Sequence, residues 1–339
     1  TEEKEGLGGL GLRKTTKASG QISTHRRPIP ETSFMTSTQE ATQEAKTTVY
    51  KPPTVWKDKP RPGLWGKLNQ PHAGPREKRE LPRGKHALQL YSMATPNGVK
   101  VGILLEELFD AYNKKNGFDY DAWLISIIKG DQFTSGFTNV NPNQKIPALL
   151  HYDGKESAPI RVFESASILL YLAENFDPDH KFLPADARGK AEAISWLFWQ
   201  VGSAPYFGGG GFGHFFSAET KIESAVDKYT LEAKRQLDVL EHHLAGKDAK
   251  TSGAGGPYIL GKNFSVADMA IWPWYGRKVL EDGTPAAKFL DVHKYPAVIA
   301  WAKKVADRPA VQRGARVNKS WGPEKEQLKE RHSAADFAS

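Results

Sequence analysis

Thr95, Pro96 and Asn97 stand at the head of VKVGILLEELFDAY, whose apolar residues recur at helical spacing. The N–H groups of a first helical turn have no partner within the helix, and the helix dipole favours negative charge there. A thiol held against Thr95 and Asn97 would ionise more readily, and the thiolate is the form that attacks. The chain contains 0 Cys, so the sulfur would have to arrive on a bound small molecule, with the protein supplying only the cradle. A plainer reading of the same residues is a helix cap, with Thr95 as N-cap and Pro96 preset for the first helical position.

Two further pairs extend the first reading. Ile146-Pro147 opens the run KIPALLHY. In the cis form, such a proline leaves the preceding N–H and C=O facing outward, where a peptide-like ligand can add as a strand, which makes Ile146 a candidate backbone clamp. In the trans form it is an ordinary edge residue. Glu164-Ser165 precedes ASILLYLAENF, and Ser165 is expected to cap that helix. A helix start of this kind binds a carboxylate through N–H and hydroxyl, while the neighbouring Glu pairs with an ammonium. A free amino-acid head group carries both charges. The alternative is a capping Ser beside a solvated Glu. The three elements occur in order, at the spacing that one small domain requires.

The elements that must position them read as strand, helix, strand, loop, hairpin, helix. HALQLYS is a buried strand, TPNG opens the first helix, and YDAWLISI at 120–127 is the second strand. A long polar loop, KGDQFTSGFTNVNPNQ, leads to a hairpin of KIPALLHY and PIRVFE. This order is the thioredoxin-like α/β arrangement. Beyond Pro184 the periodicity is wholly helical, through AEAISWLFWQVGSAP, KIESAVDKYTLEAKRQLDVLEHHLA, VADMAIWPWYGRKVL and PAVIAWAKKVADR. Ser265 with Asp268 forms an acidic capping box, and Phe264 and Met269 are placed as a hydrophobic staple. The expected fold class is therefore α/β plus all-α, preceded by an arm. The expected division is a disordered tail at 1–45, an extended arm lying on the body at 46–85, a ligand-binding thioredoxin-like domain at 86–180, an all-helical domain at 186–320 and a tail at 321–339. Trp56, Trp65 and Leu68 are the apolar anchors expected of the arm.

Charge is unevenly spread. Residues 1–88 hold 17 Lys and Arg against 9 Asp and Glu, leaving 30 against 30 for the remainder of a chain of formal charge +8. A neutral body with a basic arm is poorly suited to tracking a phosphate backbone, so no nucleic-acid partner is expected. No apolar run approaches the roughly 20 residues that span a bilayer, and the opening TEEKEGLGG is acidic where a targeting signal is basic, so a cytoplasmic protein without a membrane partner is expected. Without cysteine there is no disulfide, thiolate metal site or thiol nucleophile of the protein's own. No metal site is expected: His242 and His243 are adjacent on a helix and diverge. GGGGFG at 208–213 lacks both the preceding strand and the Lys-Ser/Thr of a phosphate loop, and reads as a kinked helix end, with His214 just beyond able to line a cleft.

Taken together, LQLYSMATPNGVKV, GDQFTSGF, NPNQKIPAL, RVFESASILLYLAE, WLFWQVG, GGGFGHF, FSVADMAIWPW and LKERHSAADF resemble glutathione transferases, and within them the nu class. The resemblance runs from about Tyr50 to Phe337. It implies a dimeric thioredoxin-like plus all-helical protein that binds glutathione as co-substrate, with one or two glutathiones per site. By this resemblance Thr95, Pro96 and Asn97 face the sulfur, while Gln132, Lys145, Ile146, Glu164 and Ser165 hold the tripeptide. Asn69 of the arm reaches the site, and Gln200 and Lys228 complete it, Lys228 standing where bacterial relatives carry an Arg. The implied activity is glutathione-dependent reduction of disulfides, with a disulfide or electrophilic small molecule as partner. Conjugation of electrophiles is the alternative within enzymes. A non-catalytic glutathione-binding regulator is the alternative outside them, although the Asn-rich arm of the yeast nitrogen regulator has no counterpart in residues 1–45, which lack Asn.

Overall fold

The computed structural model describes residues 50–59, 68–247 and 255–338. The expected disordered tail, 1–45, and Trp65 of the arm lie outside the described residues. The chain divides into two units, Thr1–Lys57 and Asp58–Ser339. Residues 50–57, the described part of the first, are irregular and exposed. The second unit carries all the regular structure of the described residues.

Leu88–Ser92 (β1) leads through Pro96–Asn116 (α1) to Tyr120–Leu124 (β2), which runs parallel to it. Ala148–His151 (β3) and Ile160–Phe163 (β4) form an antiparallel hairpin that joins the other side of β1, giving the order β2-β1-β3-β4. All five residues of β1 are buried because the sheet is covered on both faces. Leu88 and Leu90 join the large core beneath α1 and Ser165–Phe176 (α3), while Tyr91 joins a smaller cluster with Phe137, Val140 and Leu150.

That smaller cluster explains a difference from the sequence expectation. The polar stretch 129–144 contains a helix, Ser135–Val140 (α2), whose start is capped by Thr134. Six residues are too few to display a helical period, but burial of Phe133, Phe137 and Val140 holds the turn in place. The arm runs along it: Arg76 donates its backbone N–H to Phe133 O at 2.7 Å and lays its guanidinium 3.8 Å from the Phe133 ring centre. The N–H of Ser135 then bonds Glu77 O, and that of Gly136 bonds Arg79 O. A second difference lies at β2, which ends at Leu124 rather than continuing through Ile127.

The helical part comprises Ala187–Phe207 (α4), Phe212–Ser217 (α5), Glu223–Leu244 (α6), Val266–Ile271 (α7), Arg277–Leu280 (α8), Pro285–Leu290 (α9), Pro296–Ala306 (α10) and Pro309–Gly314 (α11). The capping box at Ser265 is present: its Oγ accepts from the Ala267 N–H at 3.2 Å, and Asp268 accepts from the Ser265 N–H at 3.0 Å. A wide turn over Trp272–Gly276 joins α7 to α8. The four glycines that follow α4 form a tight corner, since a Cβ on Gly208 would sit 2.3 Å from Trp274.

Helices α1 and α11 cross where Gly102 meets Gly314: a Cβ on Gly102 would lie 2.5 Å from Gly314 O. Around this contact, Arg308 grips Glu107 with two bonds of 2.6 and 2.7 Å, and Arg313 bonds Glu106 at 2.7 Å and Asp110 at 2.6 Å. The C-terminal segment then returns to the sheet. Ala122 of β2 and Arg331 exchange both backbone hydrogen bonds, at 2.7 and 3.0 Å, and the fully buried Arg331 side chain pairs with Glu106 and Asp119. Among the described residues, no helix is long and apolar enough to cross a membrane.

Candidate functional site

Two cavities meet at the start of α1. The smaller, of about 330 Å³, is lined by Leu68, Thr95, Asn97, Ile127, Gln132, Asn141, Asn143, Gln144, Lys145, Ile146, Pro147, Glu164 and Ser165. The larger, of about 820 Å³, runs from Thr95 and Pro96 past Phe207, Phe212, His214, Phe216, Trp274 and Trp321. Thr95 lines both.

Thr95 occupies the N-cap position of α1 with an extended backbone, but its hydroxyl makes no capping bond. Its Oγ1 makes only a long contact, 3.4 Å, to Met93 O. The expectation that this side chain caps the helix is therefore corrected: Thr95 holds the N-cap position by its backbone, and Met93 O, which accepts from the Thr95 N–H at 2.6 Å, packs tightly against the first turn. A Cβ on Gly98 would come within 2.0 Å of Met93 O, so that approach requires glycine at 98. Asn97 is half-buried, and its Oδ1 accepts a hydrogen bond from the Trp274 indole N–H at 2.9 Å. With the oxygen engaged, the Asn97 amide presents its N–H donors on the other side, the orientation needed to stabilise an anion.

Opposite α1, the peptide bond between Ile146 and Pro147 is cis. Among the described residues, neither the N–H nor the C=O of Ile146 is hydrogen-bonded. The loop before it is held from within: Asn141 Oδ1 accepts from the Asn143 N–H at 2.9 Å, and Asn141 Nδ2 donates to Lys145 O at 2.5 Å. Gln144, at φ 55°, donates through Nε2 to Gly74 O of the arm at 3.1 Å. Lys145 Nζ donates to Asn69 Oδ1 at 3.1 Å. Asn69 thus sits behind Lys145 and outside the set that lines the cleft.

At the third corner the expected cap is displaced by one residue. Glu164, at φ 69°, occupies the N-cap position of α3, and Ser165 is its first helical residue. The sharp turn out of β4 falls on Glu164, a tertiary demand that side-chain preference does not reveal. Glu164 is exposed and accepts from Asn143 Nδ2 at 3.1 Å, while Ser165 is buried. Gln132 is also buried, with its Oε1 unpartnered among the described residues, the kind of acceptor that a bound donor satisfies.

Beneath Ser165 lies a group that sequence reasoning missed. Lys100, 1% exposed on α1, donates to Ser165 Oγ at 3.2 Å and to Gln200 Oε1 at 2.5 Å. Burial pushes its ammonium down to about 7, partly opposed by the field of Glu164. Its spacing of three from Asn97 places it on the cleft face of α1, and that was the available signal. Gln200 is therefore committed to Lys100 and does not line the cleft. Lys228 is not brought to either cavity; it is exposed on α6, with Nζ 5.4 Å from the centre of the Tyr229 ring. Asn141, Asn143, Gln144 and Ile127 are lining residues that the sequence did not single out, and Leu68, expected as an anchor of the arm, lines the cavity with them. Among the described residues, no group of three or more His, Asp and Glu is placed to hold a metal ion.

Residues 223–304 match a family model described as glutathione S-transferase, C-terminal domain. The chain is 52% identical over 290 residues to the disulfide-bond oxidoreductase YghU of Escherichia coli, covering 85% of this chain and 95% of that protein. It is 49% identical to a glutathione transferase YghU from Streptococcus pneumoniae, solved in complex with glutathione, with TM-score 0.71 and coverage of 80% and 98%. A glutathione transferase family member from Pseudomonas fluorescens, solved with two glutathiones bound, is 36% identical, with TM-score 0.57 and coverage of 67% and 92%.

Proposed function

The chain belongs to the glutathione transferase family, and we propose that it is a glutathione-dependent disulfide reductase that borrows its nucleophile from the bound tripeptide. The observation that supports this reading is the Asn97 amide, whose oxygen is engaged by Trp274 and which lines the smaller cavity beside Thr95, the residue common to both cavities. The glutathione thiolate lies there, stabilised by Asn97, the Thr95 hydroxyl and the first turn of α1. Its γ-glutamyl head group sits between Glu164 and Ser165, and its backbone pairs with Ile146, with Lys145 and Gln132 alongside.

The thiolate attacks one sulfur of the substrate disulfide, forming a mixed disulfide with glutathione and expelling the other sulfur as a thiolate. A second glutathione thiolate attacks the glutathione sulfur of that mixed disulfide and leaves as glutathione disulfide. Two electrons pass from two glutathiones to the substrate, whose two thiolates take up protons from solvent. Two adjoining cavities suit two tripeptides, as does the relative solved with two bound. Asn69 supports Lys145, Gln200 supports Ser165 through Lys100, and Lys228 would reach an outer glutathione only if its side chain swung from Tyr229.

The test is turnover of 2-hydroxyethyl disulfide at the expense of glutathione, with Asn97→Ala losing more activity than Glu164→Ala. Equal losses would refute a role for Asn97 on the thiolate, and tight glutathione binding without turnover would identify a regulator instead. Conjugation is favoured by one observation, the largely apolar lining of the larger cavity, with Phe207, Phe212, Phe216 and Trp274. Rates on an aryl halide and on a disulfide separate the two activities. A cytoplasmic homodimer, with domains divided as the sequence analysis expects, completes the reading; light scattering at micromolar concentration tests the dimer.

A further inference from the structure

Lys100 is a buried amine without a carboxylate partner among the described residues, since both of its hydrogen bonds go to neutral oxygens, Ser165 Oγ and Gln200 Oε1. A charge on such a group is costly until an anion approaches it. Ser165, its neighbour, faces the cleft. Because Lys100 donates into Ser165 Oγ, the serine hydroxyl hydrogen is left to point at a cleft-side acceptor.

We propose that Lys100 is a positioning residue that completes its charge pairing with the ligand's carboxylate through Ser165, so that binding of the tripeptide is coupled to uptake of one proton by the protein. The proposal rests on glutathione being the ligand, and within that reading it assigns the proton linkage to one side chain.

Other charges near α1 are accounted for. Glu164 on α3 reaches Lys100 by its field and opposes the effect of burial. Asp268 on α7 is held by Ile259, Ser265 and Trp301. Arg308 and Arg313, around α11, pair with Glu107, Glu106 and Asp110. Asp121 on β2 faces His86, Gln89 and His332. Glu174 on α3 pairs with Lys190. With burial holding the Lys100 ammonium down to about 7, the empty cleft leaves it mostly neutral above that pH. An anion beside Ser165 raises it, and a proton is taken up.

S-methylglutathione is the probe, because it has no thiol to ionise. Calorimetric titration of the full chain at pH 7.5, in phosphate and in Tris, reads proton uptake from the difference in heat. More than about half a proton per site is expected in the wild type, with a Kd that rises by up to about tenfold per pH unit above 7. In Lys100→Met the uptake should fall below about 0.2 proton and the Kd should become flat with pH. Binding with no uptake, or uptake unchanged in Lys100→Met, overturns the proposal and leaves the glutathione reading intact. No binding at any pH overturns both. Should Lys100→Met fail to fold, Gln200→Leu serves in its place: loss of the acceptor should move the rise in Kd to lower pH by about one unit, and an unmoved profile overturns the proposal.

Discussion

Substitution of Trp274 separates a role in orienting Asn97 from a role in merely filling space. The indole N–H to Asn97 Oδ1 bond is 2.9 Å long and, among the described residues, is the hydrogen bond that orients the amide. A hydrogen bond from Asn97 to a thiolate is worth about 1.5–3 kcal/mol. Asn97→Ala should therefore lower kcat/KM for disulfide reduction by about 10- to 150-fold and raise the thiol pKa of bound glutathione by about 1–2 units. Trp274→Phe keeps the ring and loses only a neutral bond of about 0.5–1.5 kcal/mol, so its loss should be about 2- to 10-fold. Because Trp274 acts through Asn97, the double variant should be no worse than Asn97→Ala alone. Steady-state kinetics and an ultraviolet titration of the bound thiolate supply both readouts. Multiplicative losses in the double variant, or a bound thiol whose titration is unmoved in Asn97→Ala, would refute the reasoning.

Three further expectations concern stability. Arg331→Met removes the buried guanidinium that lies between Glu106 and Asp119 and should cost about 3–5 kcal/mol, read as a lower urea midpoint; a cost under about 1 kcal/mol would mean that the existing Arg313 bond to Glu106 and water at Asp119 suffice. Gly102→Ala forces a methyl against Gly314 O and should destabilise by about 1–3 kcal/mol, seen as a lower Tm; an unchanged Tm would show that the helices can part at no cost. Burial raises the Asp268 carboxyl to about 6 against the hydrogen bonds it accepts, so its contribution is full below about 4 and is lost as pH rises through 6. Asp268→Asn should remove that downward slope from the stability profile between pH 4 and 6, and a slope retained in the variant would assign it to another group.

Much of the fold was legible because local and tertiary preferences agree. Thr95 and Pro96 do begin α1, the runs around Pro147 and Val162 do form a hairpin, and Ser265 with Asp268 does start α7. Where they part, geometry imposed from a distance decides. Helix α2 owes its existence to Phe137 and Val140 sinking under the sheet, a demand that six residues cannot advertise. Glu164 rather than Ser165 takes the cap because the chain must turn there at positive φ. In the cleft, spacing identified Thr95, Asn97, Ile146, Glu164 and Ser165, all of which line one cavity. Lys100 stayed hidden because a lysine on an amphipathic helix ordinarily marks the wet side; its spacing from Asn97 was a faint signal, and its bonds to Ser165 and Gln200 show that it points inward.

The return of Arg331 to Ala122 has a consequence for biosynthesis. The outer margin of the sheet at β2 is finished by Arg331, far along the chain from Ala122, so a polypeptide emerging from the ribosome carries an open strand edge until Arg331 has been made. Chains cut at residue 327 should remain in that state permanently and self-associate as concentration rises, a behaviour that sedimentation velocity would detect.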